Sequence, residues 1–262
     1  MCLASKMPLR SVDVSRLASI CLLLGLTNLC VAEEATVAVA TNFLTTAKEL
    51  TKQFELDDEG EIKLVSGSTG QLFAQISNGA RFHVFMSADQ ERASKLVSQE
   101  MAVAESQFTY ASGRLCFFVS SKRRLDEAPD AILTDLLFDH VAIANPRTAP
   151  YGDAAMEVLA KVGLEEQDNS TKVITAQNVG QAYSMVSTGN SHYGIVALSS
   201  ILDGSVEKDQ YYLIPSRLHK PILQDAVLLM DGADNQTAKR FLSFLASDEG
   251  KAIIRSEGYK LD

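Results

Sequence analysis

The sequence predicts an α/β protein whose sheets carry helices on both faces. Three observations predict it. Short apolar or β-branched runs of strand length, such as residues 36–41, 84–86 and 115–120, recur along the chain. Between them lie segments with apolar residues three and four apart, the spacing of a helix face. Several of these segments stop at a glycine, at Gly79, Gly163 and Gly189.

In order, residues 36–41 form a first strand. Over 43–54, Leu44, Ala47, Leu50, Thr51 and Phe54 share one helical face. A second strand spans 62–66, and a short helix over 70–78 places Leu72, Phe73 and Ile76 inside. Residues 84–86 read as a buried strand and 90–98 as a helix. The second half repeats the alternation, with strands at 115–120, 141–145, 172–174, 193–197, 211–214 and 223–229. Its helices span 152–162, 178–188, 235–246 and 248–256. No repeat of solenoid period and no low-complexity tract interrupts this order. The acidic run at 55–61 reads as a solvated helix end and turn.

The first 32 residues differ from the rest. Lys6, Arg10 and Arg16 precede an apolar run over 17–29, and Cys30-Val31-Ala32 offers small residues before a cut. This is the layout of a secretory signal peptide, cleaved near Ala32. An uncleaved anchor is the alternative, although the run falls short of the roughly 20 residues that span a bilayer. Ile20 before Cys21 and Leu29 before Cys30 do not fit a lipoprotein signal. The expected location is the periplasm.

Without those residues, 21 Lys and Arg stand against 32 Asp and Glu, a net charge of −11. So acidic a chain does not fit a nucleic-acid partner, which demands a basic face. Cys116 is the one cysteine left; it lies in an apolar strand pattern, so no intrachain disulfide and no cysteine-based metal site is expected. His83, His140, His192 and His219 are scattered, without the paired spacing of a metal site. No nucleophile elbow is present, and Gly67-Ser68-Thr69-Gly70 lacks the lysine of a P-loop. No catalytic residue, cofactor or bare metal cation is therefore expected.

Four strand-to-helix junctions remain: Thr41-Asn42, the stretch 66–70, the stretch 149–152 and the stretch 176–180. All are rich in small, hydroxyl or amide residues, and none contains Lys, Arg, Asp or Glu. In an open α/β sheet the ligand crevice lies at the carboxyl ends of the strands, where such junctions gather. Free N–H groups at a helix start form an anion site, and Thr41, Asn42, Ser68, Thr69 and Tyr151 add side-chain donors. Ordinary helix caps use the same residue types, so each junction alone has that second reading. Six to eight charge-assisted hydrogen bonds, at about 1.5–3 kcal/mol each, offset the desolvation of a buried dianion. Arg147 is the one cation near a junction and reads as solvated.

At these junctions the chain resembles the periplasmic molybdate-binding proteins of ABC-type importers. The resemblance runs through residues 35–259. Its segments are 37–43 (VAVATNF), 66–70 (SGSTG) with Leu72 and Gln75-Ile76, 85–89 (FMSAD), 144–146 with 150–152, 178–182 (NVGQA) and 193–196 (YGIV). It implies the type II periplasmic-binding-protein fold: two α/β lobes with mixed sheets, joined by two hinge crossings. Signal peptide 1–32, lobe one at 33–112 and 223–262, and lobe two at 113–222 would be the divisions, with crossings near 111–114 and 221–224. It also implies that molybdate, and tungstate with it, is held by neutral donors at Thr41, Asn42, Ser68, Thr69, Tyr151 and the Val179 backbone. Delivery would be to an importer's permease and ATPase, by a monomer.

The chain departs from the family's pattern in places. Ala197 stands where some members use a tyrosine after the Gly-Ile-Val strand. Tyr151 stands where alanine is frequent, and its phenol is expected to reach the ligand from the opposite side. Arg81-Phe82-His83 replaces a Pro-x-Asp, with His83 expected to serve packing. Other tetrahedral oxyanions (sulfate, phosphate, chromate), a sensor without a permease, and an α/β transferase or hydrolase remain the alternatives.

Overall fold

A computed structural model of the protein describes residues 33–56, 60–120, 140–163, 173–202 and 206–261. The signal-peptide reading of residues 1–32 lies outside these. Two five-stranded mixed sheets organise the chain.

The first sheet has the order β2-β1-β3-β10-β4, from β1 (Glu34–Ala40), β2 (Glu61–Gly67), β3 (Val84–Met86), β4 (Phe108–Gly113) and β10 (Ile222–Leu228). Strands β1, β2 and β3 are parallel; β10 runs antiparallel to both β3 and β4. The second sheet has the order β7-β6-β8-β5-β9, from β5 (Leu115–Val119), β6 (Val141–Ala144), β7 (Val173–Ala176), β8 (Tyr193–Ala197) and β9 (Tyr211–Leu213). Here β6, β7 and β8 are parallel and β5 is antiparallel to β8 and β9. The two sheets follow one plan. Each has a parallel trio and one antiparallel strand supplied by the chain as it arrives from the other sheet, β5 on the way out through Arg114 and β10 on the way back.

Helices follow five of the six parallel strands and the returning strand β10. α1 (Leu44–Leu56) enters through a 3-10 turn at Thr41–Phe43, and α2 (Thr69–Ser77), α3 (Gln90–Ser98), α4 (Pro150–Lys161), α5 (Val179–Ser187), α6 (Gln236–Ala246) and α7 (Asp248–Ser256) complete the set among the described residues. Their starts are set by local chemistry. Ser68 and Gln71 make a reciprocal capping box on α2. Asp89, Asn178, Asn235 and Ser247 cap α3, α5, α6 and α7, and Pro150 occupies the first turn of α4, where its missing N–H costs nothing.

The first sheet is covered on one face by Phe43, Leu50, Phe54 and Phe241 and on the other by Leu72, Phe82 and Leu96. The second sheet buries Phe117, Ile143, Val158 and Ile195. Each such side chain contributes about 1.5–3 kcal/mol on leaving water. Cys116 is fully buried in this second core, and burial pushes its thiol far above the ordinary range. No helix among the described residues is long and apolar enough to cross a membrane.

Candidate functional site: a ring of helix starts between two sheets

The parallel strands of both sheets direct their carboxyl ends toward one another, and the loops that leave them meet. Thr41 follows β1, and its Oγ1 accepts a hydrogen bond from Ser66 Oγ at the end of β2 (3.3 Å). Across the gap it faces Gly180 in the first turn of α5: a Cβ built there would stand 2.6 Å from Thr41 Cγ2. The start of α2 faces the loop before α4, with Gly70 N donating to Thr148 O at 2.8 Å. Thr41, Asn42, Ser68, Thr69, Tyr151 and Val179 are thereby brought to one region from both sheets.

The polar groups there divide into committed and free. Gln71 N is taken by Ser68 Oγ, Gly152 N by Ala149 O and Gln181 N by Asn178 Oδ1. The N–H groups of Thr69, Tyr151, Val179 and Gly180 have no hydrogen-bond partner among the described residues, as the first turn of a helix leaves them. Ser68 and Thr69 are buried, and Thr69 Oγ1 accepts from Ala88 N at 3.2 Å. Three hydroxyls, those of Thr41, Ser68 and Thr69, thus accept within the fold and retain a proton to donate.

Two side chains are engaged differently from the sequence reading. Asn42 Nδ2 donates to Gln224 Oε1 (2.8 Å) and to Tyr259 Oη (3.2 Å), so both amide hydrogens are used inside the protein. The phenol of Tyr151 turns toward the crossings, where Gln224 Nε2 donates to it at 3.4 Å and Gly113, having no side chain, makes room for its oxygen. The expected approach of that phenol to a ligand is therefore replaced by a structural role, and the backbone N–H is what Tyr151 presents.

These two side chains belong to a buried polar network that sequence reading missed. Gln224, fully buried on β10, accepts from Asn42 and from Tyr110 Oη (3.2 Å). Ser199, in the turn after β8, donates to Asn42 O at 2.9 Å, and Tyr259 Oη lies 2.7 Å from the same carbonyl and 2.9 Å from Ser199 Oγ. The network ties the loop after β1 to both the second sheet and the C-terminal segment. The one available signal was chemical: Gln224 and Asp225 stand side by side in a strand whose other residues are apolar.

Burial pushes the phenols of Tyr110, Tyr151 and Tyr259 above their ordinary value of 10.0. In the unfolded chain they ionise from about pH 10, while the fold holds their protons. Their contribution is thus full below that pH and is lost as pH rises beyond it. Denaturant unfolding followed from pH 8 upward should show stability falling above about pH 10, less steeply in Tyr259→Phe.

Charge stays at the rim. Arg147 is exposed, and its carbonyl accepts from Arg92 Nη2 at 3.1 Å; Arg92 is itself paired with Asp89. His83 Nδ1 accepts from Thr36 N at 2.9 Å. No group of His, Cys, Asp and Glu among the described residues is arranged to hold a metal ion. A cavity of about 200 Å³ flanks the ring without entering it, lined by Ala88, Pro150, Asp153 and Lys220 among others.

Two mixed α/β sheets linked by two crossings, with helix starts and hydroxyls opposed across the gap, define a two-lobed solute-binding protein. Comparison with known proteins places it further. A family model described as bacterial extracellular solute-binding protein matches residues 35–260, and the chain belongs to that family. It is 41% identical over 241 residues to the molybdate-binding protein ModA of Rhodobacter capsulatus, spanning 92% of this chain and 94% of that one. To ModA of Azotobacter vinelandii it is 40% identical over 231 residues, with 88% and 91% covered. The solved periplasmic molybdate-binding protein of Azotobacter vinelandii superposes with a TM-score of 0.82 at 36% identity, over 87% of this chain and 99% of that one. A sulfate-binding protein, SubI of Mycobacterium tuberculosis, shares the fold at 10% identity and a TM-score of 0.69, over 87% and 86%.

Proposed function

We propose that this protein is the periplasmic receptor of an ABC importer, that it captures molybdate or tungstate between its lobes, and that it catalyses no reaction. The observation that carries the reading is the ring itself. Helix starts and hydroxyls from both sheets converge, and no Lys, Arg, Asp or Glu lies in the four junctions. The named relatives support the choice of oxyanion. In this reading the ligand accepts from the N–H groups of Thr69, Tyr151, Val179 and Gly180 and from the hydroxyls of Thr41, Ser68 and Thr69. Asn42 acts by holding its loop rather than by donating its amide.

The lobes are taken as 33–112 with 223–262, and 113–222, after removal of a signal peptide near Ala32. Capture is a closure about the two crossings, since only the closed arrangement presents donors from both sheets at once. The receptor works as a monomer and passes its cargo to a permease driven by an ATPase. Neutral donors suit a carrier because the anion must leave again, and nothing is protonated or cleaved on the way. Because molybdate, tungstate and sulfate share one charge, cavity size and donor placement must discriminate among them.

Titration calorimetry with these three anions tests the assignment. One molybdate or tungstate per chain, bound at micromolar affinity or tighter with sulfate much weaker, is the expected result; preference for sulfate would reassign the ligand. Gly180→Ala offers a finer check. The added methyl meets Thr41 Cγ2 across the gap, so molybdate affinity should drop by about 1–3 kcal/mol. If closure is what brings Thr41 to Gly180, the melting temperature without ligand should stay nearly unchanged; a drop equal to the loss of affinity would place the clash in the free protein as well.

A further inference from the structure

A cavity of about 460 Å³ lies on the crossings, outside the ring and not used by the reading above. Its walls come from both passages between the sheets and from the C-terminal segment: Ser112 and Arg114 on one, Leu213, His219 and Leu223 on the other, and Lys260. In a chain whose described fold begins after residue 32 and whose residues from there on carry a net −11, this cavity has three basic side chains and no Asp or Glu among its lining residues.

The backbone that carries these basic groups is held by hydrogen bonds. Ser112 and Lys260 exchange backbone hydrogen bonds of 2.8 and 3.0 Å, and the Arg114 carbonyl accepts from Leu198 N at 2.9 Å. His219 is 7% exposed, and its Nδ1 stands 2.7 Å from Lys220 O. A carbonyl only accepts, so Nδ1 carries the hydrogen. The other ring nitrogen has no hydrogen-bond partner among the described residues, nor has the Arg114 guanidinium or the Lys260 ammonium.

We propose that this cavity is a second ligand site, for a small organic polycarboxylate. The guanidinium matches a carboxylate in the two-pronged geometry that arginine favours, and the ammonium serves a second carboxylate. The volume lies in the range of small-molecule sites, about 300–1,000 Å³, well beyond what a bare tetrahedral oxyanion fills. Leu213 and Leu223 supply the apolar wall for a carbon skeleton. Because both crossings form the cavity, its occupant touches the hinge of the molecule.

Citrate is a suitable probe and amide NMR of the full mature chain a suitable readout. Millimolar citrate should shift the resonances of Gly113, His219 and Lys260 saturably, and Arg114→Gln with Lys260→Gln should weaken that binding about tenfold or more. Arg114→Lys, which keeps the charge and loses the fork, should fall between; either single Gln change serves if the double variant does not fold. Sulfate, with charge and no carbon skeleton, should not saturate the site. Absence of saturable shifts, shifts centred on Thr69 and Val179 instead, equal affinity in the Gln variants, or equal binding of sulfate would each overturn the proposal.

Discussion

Replacing Asn42 and Thr69 together by alanine should weaken molybdate binding by about 2–5 kcal/mol, taking about 1–3 kcal/mol for each buried partner removed. The two changes act by different routes. Thr69→Ala removes a buried hydroxyl that accepts from Ala88 N and keeps its proton for the cleft. Asn42→Ala strips the loop after β1 of its side-chain ties to Gln224 and Tyr259, leaving Gln224 Oε1 with Tyr110 alone, while the Asn42 carbonyl still accepts from Tyr259 and Ser199. The route predicts a difference in stability as well. Asn42→Ala should lower the melting temperature, since it opens a buried network, whereas Thr69→Ala should act mainly on affinity. Calorimetry and thermal melting of the two single variants separate them. Unchanged affinity in the double variant would remove the ring from the site.

The second large effect is expected at Gly113. A methyl there would overlap the phenol oxygen of Tyr151 and stand 2.8 Å from its Cζ and 3.0 Å from Gln224 Nε2. A planar ring buried on all sides does not yield as a flexible chain end does. Gly113→Ala should therefore cost close to 3 kcal/mol, the upper part of the overpacking range, and lower the melting temperature by about 6–12 °C. Because Tyr151 opens α4 and Gln224 lies on the returning crossing, molybdate affinity should fall too. Adding Tyr151→Phe removes the overlapping oxygen and should restore part of both losses. No rescue would mean that the strain lies in the backbone of the crossing.

Much of the fold was legible in residue pattern. Strands at Val84–Met86 and Tyr193–Ala197 and helices at Gln90–Ser98 and Asp248–Ser256 have the bounds read from sequence, because caps and apolar period agree there. α4 starts two residues earlier than read, with Pro150 serving as a helix opener. Strand β4 was missed altogether. It is an edge strand whose last residues, Ala111-Ser112-Gly113, fall where a crossing was expected, and its pairing with β10 shifts register at Gln224/Asp225. Only the partner strand, more than a hundred residues away, makes it a strand.

The candidate site divides along the same line. Small and hydroxyl residues following strands marked the four junctions, since local chemistry selects them. Where Asn42 and Tyr151 point was not legible, because their partners Gln224 and Tyr259 are distant in sequence and Ser199 is drawn in from the other sheet.

The central claim is that uncharged donors from both sheets hold a dianion at one point. Crystals of the mature protein grown with tungstate test it most directly, through the anomalous signal of the metal. A single tungsten peak is expected, with the anion's oxygens about 2.7–3.1 Å from the N–H groups of Thr69, Tyr151 and Val179 and from the hydroxyl of Thr41. A peak beside Arg114 and Lys260 instead, or one coordinated by carboxylates, would contradict it.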